Sequence, residues 1–251
     1  MTTQQQKRYK ILLIGDACID TYTFGSVNRI SPEAPVPVFE PHGQIVKDGM
    51  AGNVLNNLEA LGCQVKFFHG EISHKERLID DRSKQQLLRI DRDKISTPLD
   101  YTIADTSEYD AVVISDYNKG TVDYNLITHL VKTSTVPIFI DTKKTDLAPM
   151  NGCFVKINAL EKSRATSLPH KDWLVVTYGD KGAVWNDIVF SPTESVTVAD
   201  VTGAGDTFLS ALAYKYLSTG DMNEAIKFAN KAASLTVQHV GVHAPRLEEI
   251  L

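Results

Sequence analysis

The sequence predicts an α/β protein with a mainly parallel central sheet and helices on both faces. Short apolar runs recur along the 251 residues, with amphipathic helical patterns between them, and this alternation is typical of such sheets. A chain of this length can bury a full core, so we expect one domain over 1–251. The predicted core strands are 10–14, 65–69, 111–115, 137–141, 154–157 and 173–177.

Helices are predicted between these strands. Apolar residues recur on one face of 53–61, which Gly62 follows as a C-terminal cap, and on one face of 122–132. Near the end, Asp221 with Glu224 three residues later has the spacing of a capping box before a buried helix.

Two stretches depart from the alternating pattern. The first, 24–40, contains prolines at 32, 35 and 37, and the second, 85–91, alternates apolar and polar residues. Proline is tolerated at sheet edges, and alternation indicates a strand with one wet face. We therefore expect short edge strands, from about 21–45 and 84–95, that form a small β lid at the ligand-binding edge of the sheet.

Composition indicates a soluble protein. Hydrophobic residues make up 43% and charged residues 23%, and no apolar run approaches the roughly 20 residues that span a bilayer. The polar start, 1–8, lacks the apolar core of a signal peptide, so we expect a frayed tail and a cytoplasmic location. A net charge of −5 does not favour nucleic acid as a partner, because phosphate backbones are bound by concentrated Lys and Arg.

The three cysteines are distant from one another in the sequence. Cys18, Cys63 and Cys153 form neither a CxxC motif nor a cluster with histidine, so the spacing does not indicate a zinc site. We expect all three to be reduced and structural.

A glycine-rich turn at 200–208, Asp-Val-Thr-Gly-Ala-Gly-Asp-Thr-Phe, leads directly into an apolar helical pattern. The amides of Gly203, Ala204 and Gly205 are expected to converge at the positive end of that helix, where anions bind. Asp206 can then lie beside a bound phosphate and take a proton from an attacking hydroxyl. The alternative is a tight turn with an aspartate that only compensates the helix dipole.

This string resembles the signature of the ribokinase (PfkB) family of sugar kinases, in which Gly-Ala-Gly-Asp forms an anion hole and carries the catalytic base. The resemblance implies a ribokinase-like three-layer α/β/α fold with a small β lid, and ATP with Mg²⁺ as cofactors. No Gly-x-x-x-x-Gly-Lys-Ser/Thr occurs in the chain, so the phosphates would not be held by a P-loop.

The resemblance also implies a nucleotide site. The turn 177–182 matches the family's Thr-x-Gly-x-x-Gly, although alone it also fits a simple hairpin. Residues of the late helix, with Val201, would lie near the adenine, although they also fit a packing role. The implied nucleotide-binding residues here are Thr177, Gly179, Gly182, Val201, Asn230 and Ala233.

Metal binding is implied at two places. Asn158 and Glu161 resemble the family's Asn-x-x-Glu, where Glu161 would hold Mg²⁺ through water. The same pair can also form a helix capping box. The family further implies a monovalent cation, such as K⁺, near Asp200 and Thr202.

The N-terminal half resembles the family's sugar site. Asp20 corresponds to the carboxylate that holds sugar hydroxyls, a role suited to its acceptor oxygens, although it could be an exposed acid at a strand end. Gly49 and Asn53 fall in a segment like Gly-Gly-x-x-x-Asn, with the second glycine displaced in this chain.

Three stretches, 28–38, 85–91 and 115–120, resemble bacterial heptose 7-phosphate kinases. The resemblance implies sugar-binding roles for Asn28, Arg29, Asp116 and Lys119, with Arg89 as a further cation. Arginine binds phosphate bidentately. Each cation could instead be a solvated surface charge.

The implied activity is ATP-dependent phosphorylation of a sugar hydroxyl, with the anomeric position of a heptose 7-phosphate as the leading candidate. Other sugar or nucleoside kinases of the family, and a trimmed pseudokinase, are the alternatives. Between 70 and 75 the chain lacks roughly a strand and a helix that the resemblance implies. We expect no adenylyltransferase domain after Leu251 and therefore a single-function protein. A homodimer through the lid is expected, because dimerisation would cover the lid edges.

Overall fold

The computed structural model describes residues 7–100, 105–192 and 196–251. Most of the polar tail expected at 1–8 lies outside these residues. The strands are β1 (Lys10–Ile30), β2 (Pro37–Met50), β3 (Gln64–Asp80), β4 (Gln86–Arg92), β5 (Ala111–Asp116), β6 (Ile138–Thr142), β7 (Phe154–Asn158), β8 (Leu174–Thr177), β9 (Ala183–Trp185) and β10 (Ile188–Phe190). The helices are α1 (Ala51–Ala60), α2 (Tyr124–Thr133), α3 (Ala159–Arg164), α4 (Ala204–Thr219), α5 (Met222–Thr236) and α6 (Leu247–Ile250).

All ten strands form one sheet. Its order is β10-β9-β8-β7-β6-β5-β1-β3-β4, and β2 pairs with β1 beside this path. The strands from β8 to β3 are parallel, and β2, β4, β9 and β10 are paired antiparallel. The predicted parallel core is correct, and its strand bounds agree within about a residue except where β1 and β3 continue beyond the core.

Alternate residues of the central strands supply two separate cores, because side chains of a strand point to opposite faces. On one face, Leu13 and Val113 pack with α1, α4 and α5. On the other, Ile14 and Ile114 pack with α2. The sheet is therefore covered on both sides, as the apolar patterns of the predicted helices require.

The lid differs from the prediction. The stretch 24–40 is not one short edge strand, because β1 continues without interruption to Ile30 and β2 begins at Pro37. β3 likewise passes from the core through 70–75 and pairs with β4 at its far end. The lid thus contains four strands: β2, the distal halves of β1 and β3, and β4.

Local capping explains two helix starts. Asp123 accepts a hydrogen bond from the Leu126 amide at 2.8 Å and begins α2. Asp221 caps α5, but its side chain accepts from Asn223 and its own amide donates to Thr219. The Asp221 amide therefore donates to the Thr219 hydroxyl and not to the Glu224 side chain that a capping box would use.

The three cysteines are buried and free, as expected. Within the described ranges, none of the helices has the length and apolar character needed to cross a membrane.

Gly15 lies where β1 leaves the core and passes close to β5. A Cβ placed on it would be 2.2 Å from the Ser115 carbonyl oxygen and 2.9 Å from the Ala51 Cβ. Replacement by alanine must displace backbone, so Gly15→Ala should lower the free energy of unfolding by about 2 to 3 kcal/mol. Urea denaturation measures this change.

Gly43→Ala is the matched control, since a Cβ at Gly43 meets no atom within 4 Å. Its effect should stay within about 0.5 kcal/mol. Equal effects of the two substitutions would contradict the close approach at Gly15.

Candidate functional site

The glycine-rich turn forms the start of α4, as the sequence predicts. Gly203 is the N-cap residue with φ of 82°, and its carbonyl accepts the Thr207 amide at 2.9 Å. The Ala204 amide donates to the Val201 carbonyl at 3.3 Å. The amides of Gly205 and Asp206 belong to the first turn, which has no acceptor one turn earlier. This turn is therefore a place where backbone N–H groups meet a positive helix end.

Asp206 is buried at this turn, with only 7% of its surface exposed. Its Oδ2 accepts a hydrogen bond from Asn53 at 2.8 Å, and its Oδ1 accepts one from the Tyr117 hydroxyl at 3.2 Å. Burial, reinforced by the nearby charge of Asp141, raises the pKa of the carboxyl to about 6. A carboxylate with such a pKa is ionised at neutral pH and can accept a proton there.

Two lysines and two further carboxylates lie beside this turn. Lys156 Nζ is 2.6 Å from Asp141 Oδ2. Lys143 contacts Glu161 and lies 3.8 Å from Asp141 Oδ1. A Cβ on Gly205 would be 2.8 Å from Lys156 Nζ, so a side chain at this position would have to displace the ammonium group.

Asp141, Lys143 and Lys156 were not predicted from the sequence. Lys156 carried a signal, because it interrupts the buried run Phe-Val-Lys-Ile-Asn of β7, and lysine is almost never fully buried without a partner. Asp141 and Lys143 lie at the carboxyl end of β6, the edge of a parallel sheet where ligands bind.

A cavity of about 500 Å³ opens beside the start of α4. This volume is in the range of small-molecule sites. Its lining contains six of the expected nucleotide-binding residues and two residues of the glycine-rich turn: Thr177, Gly179, Gly182, Val201, Asn230, Ala233, Ala204 and Gly205. Phe208, Ser191 and Val237 also line it and were not predicted.

Two of these residues also have structural roles. The turn after Thr177 is a hairpin between β8 and β9 as well as a wall of the cavity. Asn230 donates to the Phe190 carbonyl at 2.8 Å. The turn is therefore a hairpin whose residues also line the cavity, and its nucleotide-binding role stays a prediction.

Asn158 and Glu161 form the capping box of α3, with hydrogen bonds of 2.9 and 2.8 Å. The box uses Glu161 Oε2, and the other oxygen contacts Lys143. Asp200 accepts from Thr202, through both its amide and hydroxyl, and from the Gly241 amide. The two residues expected near a monovalent cation are therefore hydrogen-bonded to each other.

Asp20 forms an ion pair that the sequence did not predict. Arg77 of β3 donates to its Oδ1 at 2.5 Å, and both side chains are mostly buried. Cys18 Sγ lies 3.6 Å from Oδ2, and burial raises the pKa of this thiol to about 12. Gly49 abuts the same carboxylate, since a Cβ there would be 2.1 Å from Oδ2.

One face of the lid, the lid inner surface, carries these groups. Strand register places its members on the same side of the four strands: Cys18, Asp20, Tyr22, Ile45, Lys47, Gly49, Ser73, Lys75, Arg77, Arg89 and Asp91. Lys75 lies 6.0 Å from the centre of the Tyr117 ring, and Lys47 donates to the Val242 carbonyl. This face is therefore directed toward Asp206.

Four basic and two acidic side chains lie on the lid inner surface, Lys47, Lys75, Arg77 and Arg89 against Asp20 and Asp91. Lys47, Lys75 and Arg77 were not predicted. For Lys75 and Arg77 the signal was the alternation of β3 beyond position 72, which was missed because the chain was expected to be shortened between 70 and 75.

Arg29 and Asn28 lie away from the other expected sugar-binding residues. They are at the distal end of β1, nine and eight residues beyond Asp20, and nine strand residues extend about 30 Å. Arg29 is 61% exposed and lies 3.9 Å from Glu40, while Asn28 donates to Ser26.

Asp116 and Lys119 are engaged within the chain. Asp116 is fully buried, accepts from Thr142 at 2.6 Å and lies 3.2 Å from Lys144. Lys119 donates to Asp93 at 2.5 Å. In the described contacts, the polar atoms that would bind substrate are thus already paired with other side chains of the protein.

Similarity to known proteins agrees with this geometry. Residues 153–249 match the pfkB family carbohydrate kinase model. The chain is 33% identical, over 96% of its length, to the bifunctional protein HldE of Nitratiruptor sp.. This similarity supports a ribokinase-like carbohydrate kinase of the PfkB type. The chain spans 64% of the length of that relative. The alignment is 300 residues long, which exceeds the 251 residues of the chain, so the relative carries additional residues within the matched region.

Solved structures show the same fold. Phosphofructokinase-2 from Escherichia coli, in complex with potassium, superposes with a TM-score of 0.72 at 17% identity, covering 97% of this chain and 96% of its own. Arabidopsis thaliana ribokinase, complexed with ribose and ATP, gives 0.67 at 16% identity, covering 97% and 98%. The predicted ribokinase-like α/β fold is confirmed.

The buried charge of Asp206 has a cost in stability. Because its pKa is raised from 3.8 to about 6, the native state binds this proton more tightly than the unfolded chain does. The contribution of Asp206 to the free energy of unfolding therefore decreases as pH rises between these values. Asp206→Asn should be more stable than the parent by about 2 kcal/mol at pH values above about 7, and the gain should largely disappear near pH 4.

Urea denaturation at the two pH values measures the difference. Glu59→Gln, at an exposed position of α1, is the control and should change stability by less than about 0.5 kcal/mol. A less stable Asp206→Asn protein at the higher pH would show that the ionised carboxylate is stabilising on balance.

Proposed function

We propose that the protein transfers the γ-phosphoryl group of ATP to a hydroxyl of a phosphorylated sugar. One observation carries the proposal: the buried carboxylate of Asp206 lies in the first turn of α4, and the adjacent residues Ala204 and Gly205 line the 500 Å³ cavity. A proton acceptor and an anion-binding helix end thus lie side by side. Phosphoryl transfer requires this combination, since its catalysis consists mainly of positioning and charge stabilisation.

In this mechanism Asp206 is the base. It is ionised above about pH 6, so it can accept the proton of the sugar hydroxyl as that oxygen attacks phosphorus. The amides of Gly205 and Asp206 face the charge that develops on the transferred group, and each such donor is typically worth about 3 kcal/mol. The ammonium of Lys156, next to Gly205, adds positive charge at the same place.

The residues present fit a magnesium ion. Asp141 Oδ1 is buried and makes no hydrogen bond within the described residues, and Glu161 lies nearby, bridged to Asp141 by Lys143. No group of three or more His, Cys, Asp or Glu side chains in the described residues forms a metal cage. One or two carboxylates suit Mg²⁺, which is held mainly by water and substrate phosphates. The ion would neutralise charge on the nucleotide phosphates.

The proposal includes a monovalent cation near Asp200 and Thr202. Asp200 and Thr202 lie two residues apart in the loop before α4 and share a hydrogen bond of 2.7 Å. Asp200 keeps a lowered pKa, because its hydrogen bonds to Thr202 and Gly241 outweigh burial. An ionised carboxylate supports K⁺ binding at this loop.

The charge of the lid inner surface supports a sugar that already carries a phosphate. Its basic residues exceed its acidic ones, and Arg77 is positioned beside the expected sugar carboxylate Asp20. Guanidinium groups match phosphate oxygens in geometry and charge. With the 33% identity to a protein named HldE, we propose a heptose 7-phosphate as substrate and its anomeric hydroxyl as acceptor.

We also propose a homodimer through the lid. Apolar side chains at its distal end and edge are exposed, Ile30 by 61%, Val36 by 50% and Val46 by 56%. A second lid would cover this surface and the edges of the strands.

The decisive test of the function is Asp206→Asn. Turnover of the best sugar should fall by about 10² to 10⁴, since the general base is removed, while ATP affinity changes by less than about threefold because the amides remain. A coupled ADP-release assay over free and phosphorylated sugars measures turnover, and calorimetry measures ATP binding. A loss of turnover below about tenfold would rule out the assigned role.

Arg77→Gln tests the sugar phosphate. The Michaelis constant for a phosphorylated sugar should rise by about tenfold or more, because a charge-assisted hydrogen bond is lost, and the constant for the free sugar should change much less. Arg92→Gln is the control, since register places Arg92 on the opposite face of β4. Equal increases for both sugars would mean that Arg77 does not contact the phosphate.

A further inference from the structure

Tyr117 occupies one oxygen of the proposed base. Its hydroxyl donates to Asp206 Oδ1 at 3.2 Å, while Asn53 donates to Oδ2 at 2.8 Å. A carboxylate has about four lone-pair positions, so these two donors fix its plane and leave acceptor capacity on both oxygens. The orientation of the base is therefore determined by two neutral groups from different parts of the chain.

The backbone holds Tyr117 in this place. Directly after β5, the amides of Tyr117 and Lys119 both donate to Asp16 Oδ2, at 2.8 and 3.0 Å. Asn118 between them has a φ of 57°, a conformation that non-glycine residues rarely adopt. The buried Asp16 thus organises a tight turn that directs the tyrosine side chain toward α4.

Two cations flank the ring. Lys75 of the lid lies 6.0 Å from the ring centre, and Lys143, at the end of β6, lies 5.2 Å from it. The hydroxyl nevertheless stays protonated, because the negative charge of Asp206, together with burial, raises the pKa of Tyr117 well above its usual value. Tyr117 can therefore donate a hydrogen bond but cannot replace Asp206 as the proton acceptor.

We propose that Tyr117 is a positioning residue for phosphoryl transfer, whose hydroxyl holds the Asp206 carboxylate in the orientation that receives the proton of the sugar hydroxyl. The proton moves from the sugar oxygen to Asp206, the new bond forms between that oxygen and phosphorus, and ADP leaves. Tyr117 keeps its own proton throughout. The proposal rests on the proposed role of Asp206 as the base.

The hydrogen bond has a consequence for pH dependence. Charged groups face Asp206 from each neighbouring strand, Asp141 on β6 and Lys156 on β7, with Lys143 beyond Tyr117. In addition to these charged groups, the neutral Tyr117 hydroxyl stabilises the ionised carboxylate of Asp206 and lowers its pKa. Its removal raises that pKa, so the loss of activity on acidification must begin at a higher pH.

Tyr117→Phe tests the proposal with ATP and the best phosphorylated sugar. The turnover number above the acid limb should fall about tenfold through misorientation of the base. The Michaelis constant for the sugar should stay within about threefold. The acid limb of kcat/KM should move upward by about half a pH unit or more. A purely structural role would lower stability without moving the acid limb.

Tyr124→Phe is the matched control. This tyrosine begins α2, is 37% exposed and lies under Lys144, so its variant should reproduce the parent pH profile. An unmoved acid limb in Tyr117→Phe, or an equal movement in Tyr124→Phe, would overturn the proposal.

A second measurement keeps the test valid if the phenylalanine variant does not fold. Incorporation of 3-fluorotyrosine at 117 preserves size and makes the hydroxyl a stronger donor, so the acid limb should move to lower pH. A movement in the other direction, or none, contradicts the proposal. Asp206→Asn separates the two proposals: if that variant is active, the base assignment fails, whereas an inactive Asp206→Asn with an unaltered Tyr117→Phe overturns only the role of Tyr117.

Discussion

The burial of one ionisable carboxylate is the constraint on which the site depends. Asp206 is removed from water at the start of α4, and among the described residues its carboxylate accepts hydrogen bonds from two neutral donors, Asn53 and Tyr117. Desolvation disfavours its charged form, and the donors and Lys156 oppose this effect. The balance leaves a group that is charged at neutral pH but holds its proton more tightly than an exposed aspartate, which suits a reversible proton acceptor.

A buried polar network continues from this carboxylate into the helical layer. The Asn53 carbonyl accepts from the Asn57 amide group at 2.8 Å, and Thr207 donates to Asn57 at 2.8 Å. Thr236 donates to Thr207 at 3.0 Å. These bonds join α1, α4 and α5 where their side chains are buried, so the packing of the three helices also determines the position of Asp206. Buried networks of this kind are rigid when all members are satisfied.

Much of this was predictable from sequence. The parallel core followed from apolar runs such as 111–115, and the helix start at Gly203 followed from a glycine motif that imposes its own backbone geometry. The cavity wall at 177–182 followed from a resemblance to the Thr-x-Gly-x-x-Gly turn of ribokinase-like enzymes. Such signals are local. Lys156 and Asp141 become partners only because β6 and β7 are neighbours, and Arg77 reaches Asp20 only because β3 extends beside β1. A lysine in a buried strand signals that a partner exists, but the identity of that partner depends on which strands are neighbours.

The continuity of β1 and β3 has a mechanical consequence. Both strands extend unbroken from the core into the lid and remain paired from Lys10 to Gly25, with a register shift only between Gly15 and Ala17. A flexible loop hinge is therefore absent from this pair of strands. Closure of the lid over a sugar would have to bend a two-stranded ribbon elastically near that shift, so the resting angle of the lid is determined by the twist of the sheet.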